Sequence, residues 1–220
     1  MTASAIVVEA GADARWVPLP LADPAATDRD ADLPARMAEL ASQALSVRLP
    51  GGVTIAQDDG EVLQVAALLT DVTRRVRDIA DVASGMGAPV LTALAWALAP
   101  AGWFTIQGIA TLRVMDLPPP GTDDDAIGAV IDIDAERFGE PRVEPLDTPS
   151  GRAFVLRDRL VVNGDGLREV HEQRVVVWPM PQEEVVVSLS IYFDDLIEAG
   201  RHGPALDDLA QLLTMRFDPE

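Results

Sequence analysis

Neither cysteine nor lysine occurs in the 220 residues, histidine occurs twice, and aromatics make up 5% of the chain. Without cysteine there is no disulfide, iron–sulfur cluster, thiolate zinc site, cysteine nucleophile or lipidated N-terminal cysteine. Without lysine, a P-loop or a Schiff-base mechanism is excluded. Long apolar runs are missing too: no stretch approaches the about 18 uninterrupted apolar residues of a membrane span. Met1 to Trp16 has neither the basic start nor the apolar middle of a signal peptide, so the expected location is cytoplasmic.

Positive charge is also scarce. The 17 basic residues, all arginine, face 36 acids, a net charge of −19. Such a field repels phosphate backbones and anionic headgroups, which makes nucleic acid and membrane surfaces poor partners. Apolar residues are plentiful at 48%, enough to fill a core. A prior of about 100–200 residues per domain points to a single domain.

Residues 1–32 read as an extended N-terminal arm anchored by Trp16, and 33–220 as one α+β domain. Leu33, Met37, Leu40, Ala41 and Ala44 recur at helical spacing, and so do Val65, Leu68, Val72, Val76, Ile79 and Ala83. These predict helices over 33–47 and 61–83. Runs from Val90 to Leu98 and from Phe104 to Leu117 predict a β-hairpin, and Ala126 to Phe138 a short helix with Asp123 to Asp125 in its first turn. The last third is plainest. Arg152–Val162, Leu167–Trp178 and Glu184–Phe193 form an antiparallel meander around the Asn163–Gly166 turn. Its third strand puts Val185, Val187, Leu189, Ile191 and Phe193 on a single core face. A closing helix over 204–216 carries Leu206, Leu209, Leu213 and Phe217. The expected fold class is therefore α/β of the α+β type: a largely antiparallel sheet with helices packed on its faces, a single-domain sandwich.

The enzyme reading is starved of bases. There is no Gly-x-Ser-x-Gly, and alternation turns His171 toward the surface, while His202 falls in an exposed turn. Asp132, Asp134 and Glu136 have the alternating oxygens of a calcium loop. However, the sixth position is Arg137 instead of glycine and the twelfth is Val143 instead of glutamate. The run reads as a solvated acidic face, and neither a metal nor any other cofactor is expected. Trp16, Trp96, Trp103, Trp178 and Tyr192 are the candidates for an apolar pocket or an interface. Glu183, Glu184, Asp194, Asp195 and Glu198 lie in a stretch without arginine, an acidic surface suited to a basic protein partner.

The order of elements in the second half resembles that of uncharacterised actinobacterial proteins whose second halves resemble the PsbP-like α/β sandwich. It runs from Gly151–Arg157 into a strand, through Val175–Pro181 into a proline-rich turn, and then to Val185–Phe193 and the Leu206–Phe217 helix. That fold includes photosystem extrinsic subunits, Ran-binding factors and mycobacterial lipoproteins, so the resemblance implies binding or assembly more than catalysis. The expected function is a non-enzymatic binding or assembly component with an acidic surface, as a monomer or weak homodimer. The alternative is a small-molecule-binding protein or enzyme with a tryptophan-lined pocket.

Overall fold

The computed structural model describes residues 5–11, 15–19, 32–45, 59–85, 90–98, 106–118, 121–164 and 167–218. In chain order the elements are β1 (Ala5–Ala10), β2 (Trp16–Leu19), α1 (Leu33–Leu45), α2 (Asp59–Gly85), β3 (Val90–Leu98), β4 (Gly108–Asp116) and α3 (Asp123–Val130). There follow β5 (Arg142–Thr148), β6 (Gly151–Gly164), β7 (Leu167–Met180), β8 (Val185–Phe193), α4 (Leu196–His202), α5 (Pro204–Leu212) and β9 (Leu213–Asp218). The fold class is α/β with antiparallel sheet and helices packed on it. The chain divides into two compact units, Ala14–Ile109 and Met1–Asp13 with Ala110–Glu220.

In the first unit, α1 and α2 pack together over the β2–β3 ribbon. Leu33, Met37 and Ala41 of α1 meet Val65, Ala66, Leu69 and Val76 of α2 and Val17, Leu19, Ala95 and Ala97 of the ribbon. A fully buried side chain such as Leu69 contributes about 1.5–3 kcal/mol. The α2 stripe is turned slightly from its expected centre. Leu68 and Val72 are half-buried and Leu69 and Thr73 are fully buried. Thr73 fits there because its hydroxyl donates to the Leu69 carbonyl at 2.7 Å. The expected positions Ile79 and Ala83 have side chains outside the described residues. The arm carries two strands, and β2 pairs antiparallel with β3 from Trp16 opposite Leu98 to Leu19 opposite Ala95. Pro18, exposed in β2, suits a strand that is last in its sheet among the described residues.

In the second unit the strand order is β4-β8-β7-β6-β5, every pair antiparallel, with β1 and β9 as a separate ribbon. The meander appears as β6, β7 and β8. Its register runs from Phe154 opposite Val177 to Gly164 opposite Leu167, and the expected turn residues 165–166 lie outside the described residues. Four expectations are corrected. First, β8 has two buried faces, because α3 lies on the side of Val186. Val186 and Ser188 are buried there, in the cluster of Leu117, Ala126, Leu156, Val175 and Val177 that includes Val186. Second, α3 begins at Asp123 and ends at Val130, where Ile131 turns extended, so it stops well short of Phe138. Third, the closing helix stops at Leu212. Leu213 is extended, and Thr214 to Phe217 continue as β9 against Ile6 to Glu9 of β1. Ser150 locks that switch, donating to the Leu213 carbonyl and accepting from the Met215 N–H, both at 2.9 Å. Fourth, β5 and α4 are additional elements.

Thr122 and Asp125 form a capping box at α3. The Thr122 hydroxyl donates to the Asp125 carboxylate at 2.6 Å and the Thr122 N–H at 2.8 Å. These bonds, the hydroxyl first, hold the Asp125 carboxyl below its ordinary value of 3.8. A depressed carboxyl stabilises the folded chain fully above its unfolded value, and that contribution is lost as pH falls through the folded one. Thr122→Ala should therefore lower the thermal midpoint at neutral pH, and the gap from the native chain should narrow below 3.8. An equal gap at both extremes would show that the box adds no charge-dependent stability. Among the described residues no helix is long and apolar enough to cross a membrane.

Candidate functional site

Buried charge in the middle of two long strands marks the unusual region. β6 carries Arg157-Asp158-Arg159 and β7 carries His171-Glu172-Gln173-Arg174. With a side-chain period of two, neighbours along a strand go to opposite faces. The register then sorts these residues into two clusters: a front face shared with Ile191 and Phe193, and a back face shared with Tyr192.

On the front, Arg142 of β5 stands opposite Arg157 of β6, which stands opposite Arg174 of β7. Arg174 is discharged by Asp207 of α5, through Nε to Oδ1 at 2.9 Å and a second bond from Nη2. Closing the α4–α5 corner over this arginine needs Gly203. A Cβ there would lie 2.5 Å from the Ala199 carbonyl oxygen and 3.3 Å from Nη1 of Arg174. One row further out, Glu172, only 2% exposed, accepts from Arg157 Nη2 at 3.2 Å and Arg159 Nε at 3.3 Å.

On the back, Arg137 donates through Nε to Asp158 Oδ2 at 3.0 Å and reaches the carbonyls of Ala135, at 3.2 Å, and Asp132. Asp158 is buried, and its Oδ1 has no partner among the described residues. His171 is also buried, contrary to its expected exposure. Its Nδ1 bonds the Tyr192 hydroxyl, and its Nε2 lies 3.3 Å from Glu169. Burial, with Asp194 adding to it, holds the Tyr192 phenol above its ordinary value of 10.0. The phenol keeps its proton, and its hydroxyl and Nδ1 of His171 share one hydrogen bond. A phenol held protonated is no phenolate nucleophile. His202, in the last turn of α4, lies 3.1 Å from Glu198.

The acidic run is used locally. Asp123 meets Arg152 at 3.7 Å, Asp132 accepts from the Asp134 N–H at 3.0 Å, and Glu136 pairs with Arg168. Among the described residues no group of three histidines or acids is placed to hold a metal. Asp195 caps α4 by accepting from the N–H groups of Ile197 and Glu198.

The aromatic candidates are dispersed. Trp16 and Trp96 are buried on the side of the β2–β3 ribbon away from its helices, and both belong to the first unit. Trp178, 1% exposed, lies on the front of the second unit and donates its indole N–H to Thr148 at 2.9 Å. Tyr192, 46% exposed, is on the back, so the sheet itself separates it from Trp178. Trp103 lies outside the described residues. A groove of about 280 Å³ runs past Pro179, Met180, Met215 and Phe217 with Ser150 at its wall. Arg142, Arg157, Arg159, Asp158 and Glu172 were not among the sequence candidates. Consecutive charges inside β6 were the signal for Arg157, Asp158 and Arg159. No protein-family model matches the chain, and no curated protein sequence matches it.

Proposed function

We propose that the chain is a cytoplasmic, non-enzymatic binding or assembly component that receives an extended basic segment of a partner protein along the outer edge of β7. The observation that carries this is the register. β8 pairs with β7 only over Glu172–Met180, so Leu167 to His171 run past its end. An edge of this kind offers backbone N–H and C=O groups to an added strand. Leu167, 65% exposed, gives that strand an apolar contact, and Glu169, Asp194 and Asp195 flank it with negative charge. The net charge of −19 steers a basic segment toward it. Self-pairing about Glu169 would set that carboxylate against its own copy, which disfavours a homodimer through this edge. The likeness to the PsbP-like sandwich points the same way, toward assembly.

A peptide alternating arginine and valine should bind the full chain saturably and protect the amides of Leu167 to His171 from hydrogen exchange. The double variant Leu167→Lys/Glu169→Lys should weaken binding about tenfold, roughly 1.4 kcal/mol. Saturating peptide without protection at these amides would overturn the proposal.

A further inference from the structure

We infer that the front face of β5 and β6 holds a binding site for a small oxyanion, a phosphate or carboxylate ligand gripped by Arg142 and Arg159. This inference is independent of the β7 edge.

Like charges directly opposite in a sheet lie about 4.5–5.5 Å apart at Cβ and destabilise it. Yet Arg142, Arg157 and Arg174 fill one cross-strand row, in a chain with 36 acids and only 17 arginines from which to build it. Arg159 adds a fourth guanidinium on the same face, about 7 Å along β6 from Arg157. Two carboxylates answer them, Asp207 on Arg174 and Glu172 on Arg157 and Arg159. Glu144, exposed on β5 opposite Val155, lies on the same face two residues along the strand from Arg142. Four arginines against three acids leave an excess of positive charge in a strongly negative molecule.

The donors left over are well placed. Arg159 bonds Glu172 through Nε alone, and its side chain is 45% exposed. Both of its Nη groups remain for a ligand. Arg142 is exposed, and its side chain makes no hydrogen bond or ion pair among the described residues. The buried Glu172 braces Arg157 and Arg159 from beneath, so the forks are oriented before a ligand arrives, as bidentate recognition of planar or tetrahedral oxyanions requires. Phe138, 60% exposed, has its N–H on the Arg159 carbonyl at 2.8 Å and gives the site an apolar border. The distant acids do little harm at physiological salt, where the Debye length of about 8 Å screens them more than the arginines in contact.

Calorimetry of the full chain with inorganic pyrophosphate and, separately, citrate tests the inference and distinguishes the two sources of oxyanion. Saturable binding of either, weakened about tenfold or more by Arg142→Gln and by Arg159→Gln, supports it. Arg216→Gln, which alters the arginine paired with Glu9, should leave binding unchanged. Thermal midpoints add a readout that a merely structural cluster would not give. Relief of like-charge crowding should hold or raise the midpoint of Arg142→Gln while binding falls. No saturable binding of either anion, or binding indifferent to both substitutions, overturns the inference.

Discussion

Trp178→Ala should cost about 3–5 kcal/mol of folding stability, the range for removing a large aromatic from a packed interior. The side chain is 1% exposed on the front of β7, opposite Val187. Its loss empties a cavity and also leaves the Thr148 hydroxyl without the indole N–H it accepts at 2.9 Å. Urea titration followed by far-ultraviolet circular dichroism measures this as a drop in the midpoint with little change in slope. The result also bears on the tryptophan-pocket reading. A residue lining an open pocket can be truncated at small cost, so a loss below about 1 kcal/mol would restore Trp178 as a site residue and overturn its role as core.

Asp158→Ala should be comparably severe, and a second substitution should repair it. Alone it strands the guanidinium of Arg137, whose side chain is 19% exposed and which also organises the carbonyls of Ala135 and Asp132. Removing one partner of a buried pair costs about 3–5 kcal/mol, and partial solvent access to Arg137 argues for the lower figure. The pair itself is weak support for stability, because Oδ1 of Asp158 is buried without a partner among the described residues. Arg137→Met with Asp158→Leu should therefore return to within about 1 kcal/mol of the native chain, since replacing both charges with apolar groups removes both desolvation penalties. A double variant less stable than Asp158→Ala would show that the pair contributes net stability through the loop it anchors.

The two charged clusters show where reading the sequence stops. Each arginine of the front row is visible in the sequence, and period two assigns Arg157 and Arg159 to one face of β6. Nothing in that spacing brings Arg142 and Arg174 to either side of Arg157, because pairing register belongs to two strands at once. His171 was misplaced for a related reason. Alternation gave it a face and could not say that Tyr192, on a different strand, would cover it.

The sequence by itself determined whatever depends on near neighbours and on composition. β3 lies at Val90–Leu98 as expected, α1 and α2 follow their apolar stripes, and the three strands of the meander fall within a few residues of their expected bounds. The absence of cysteine and lysine removes whole classes of chemistry whatever the fold. Tertiary structure decided the cases where local preferences were close and a distant partner broke the balance. Leu213 is buried either as the end of a helical stripe or as the start of a strand. It became a strand because β1, at the other end of the chain, supplied the hydrogen bonds that Thr214 to Phe217 needed, and Ser150 held the junction. The second face of β8 was settled in the same way. Val186 looks solvent-facing in an alternating strand until α3 folds over it, and only a packed helix supplies the apolar contact that makes its burial favourable.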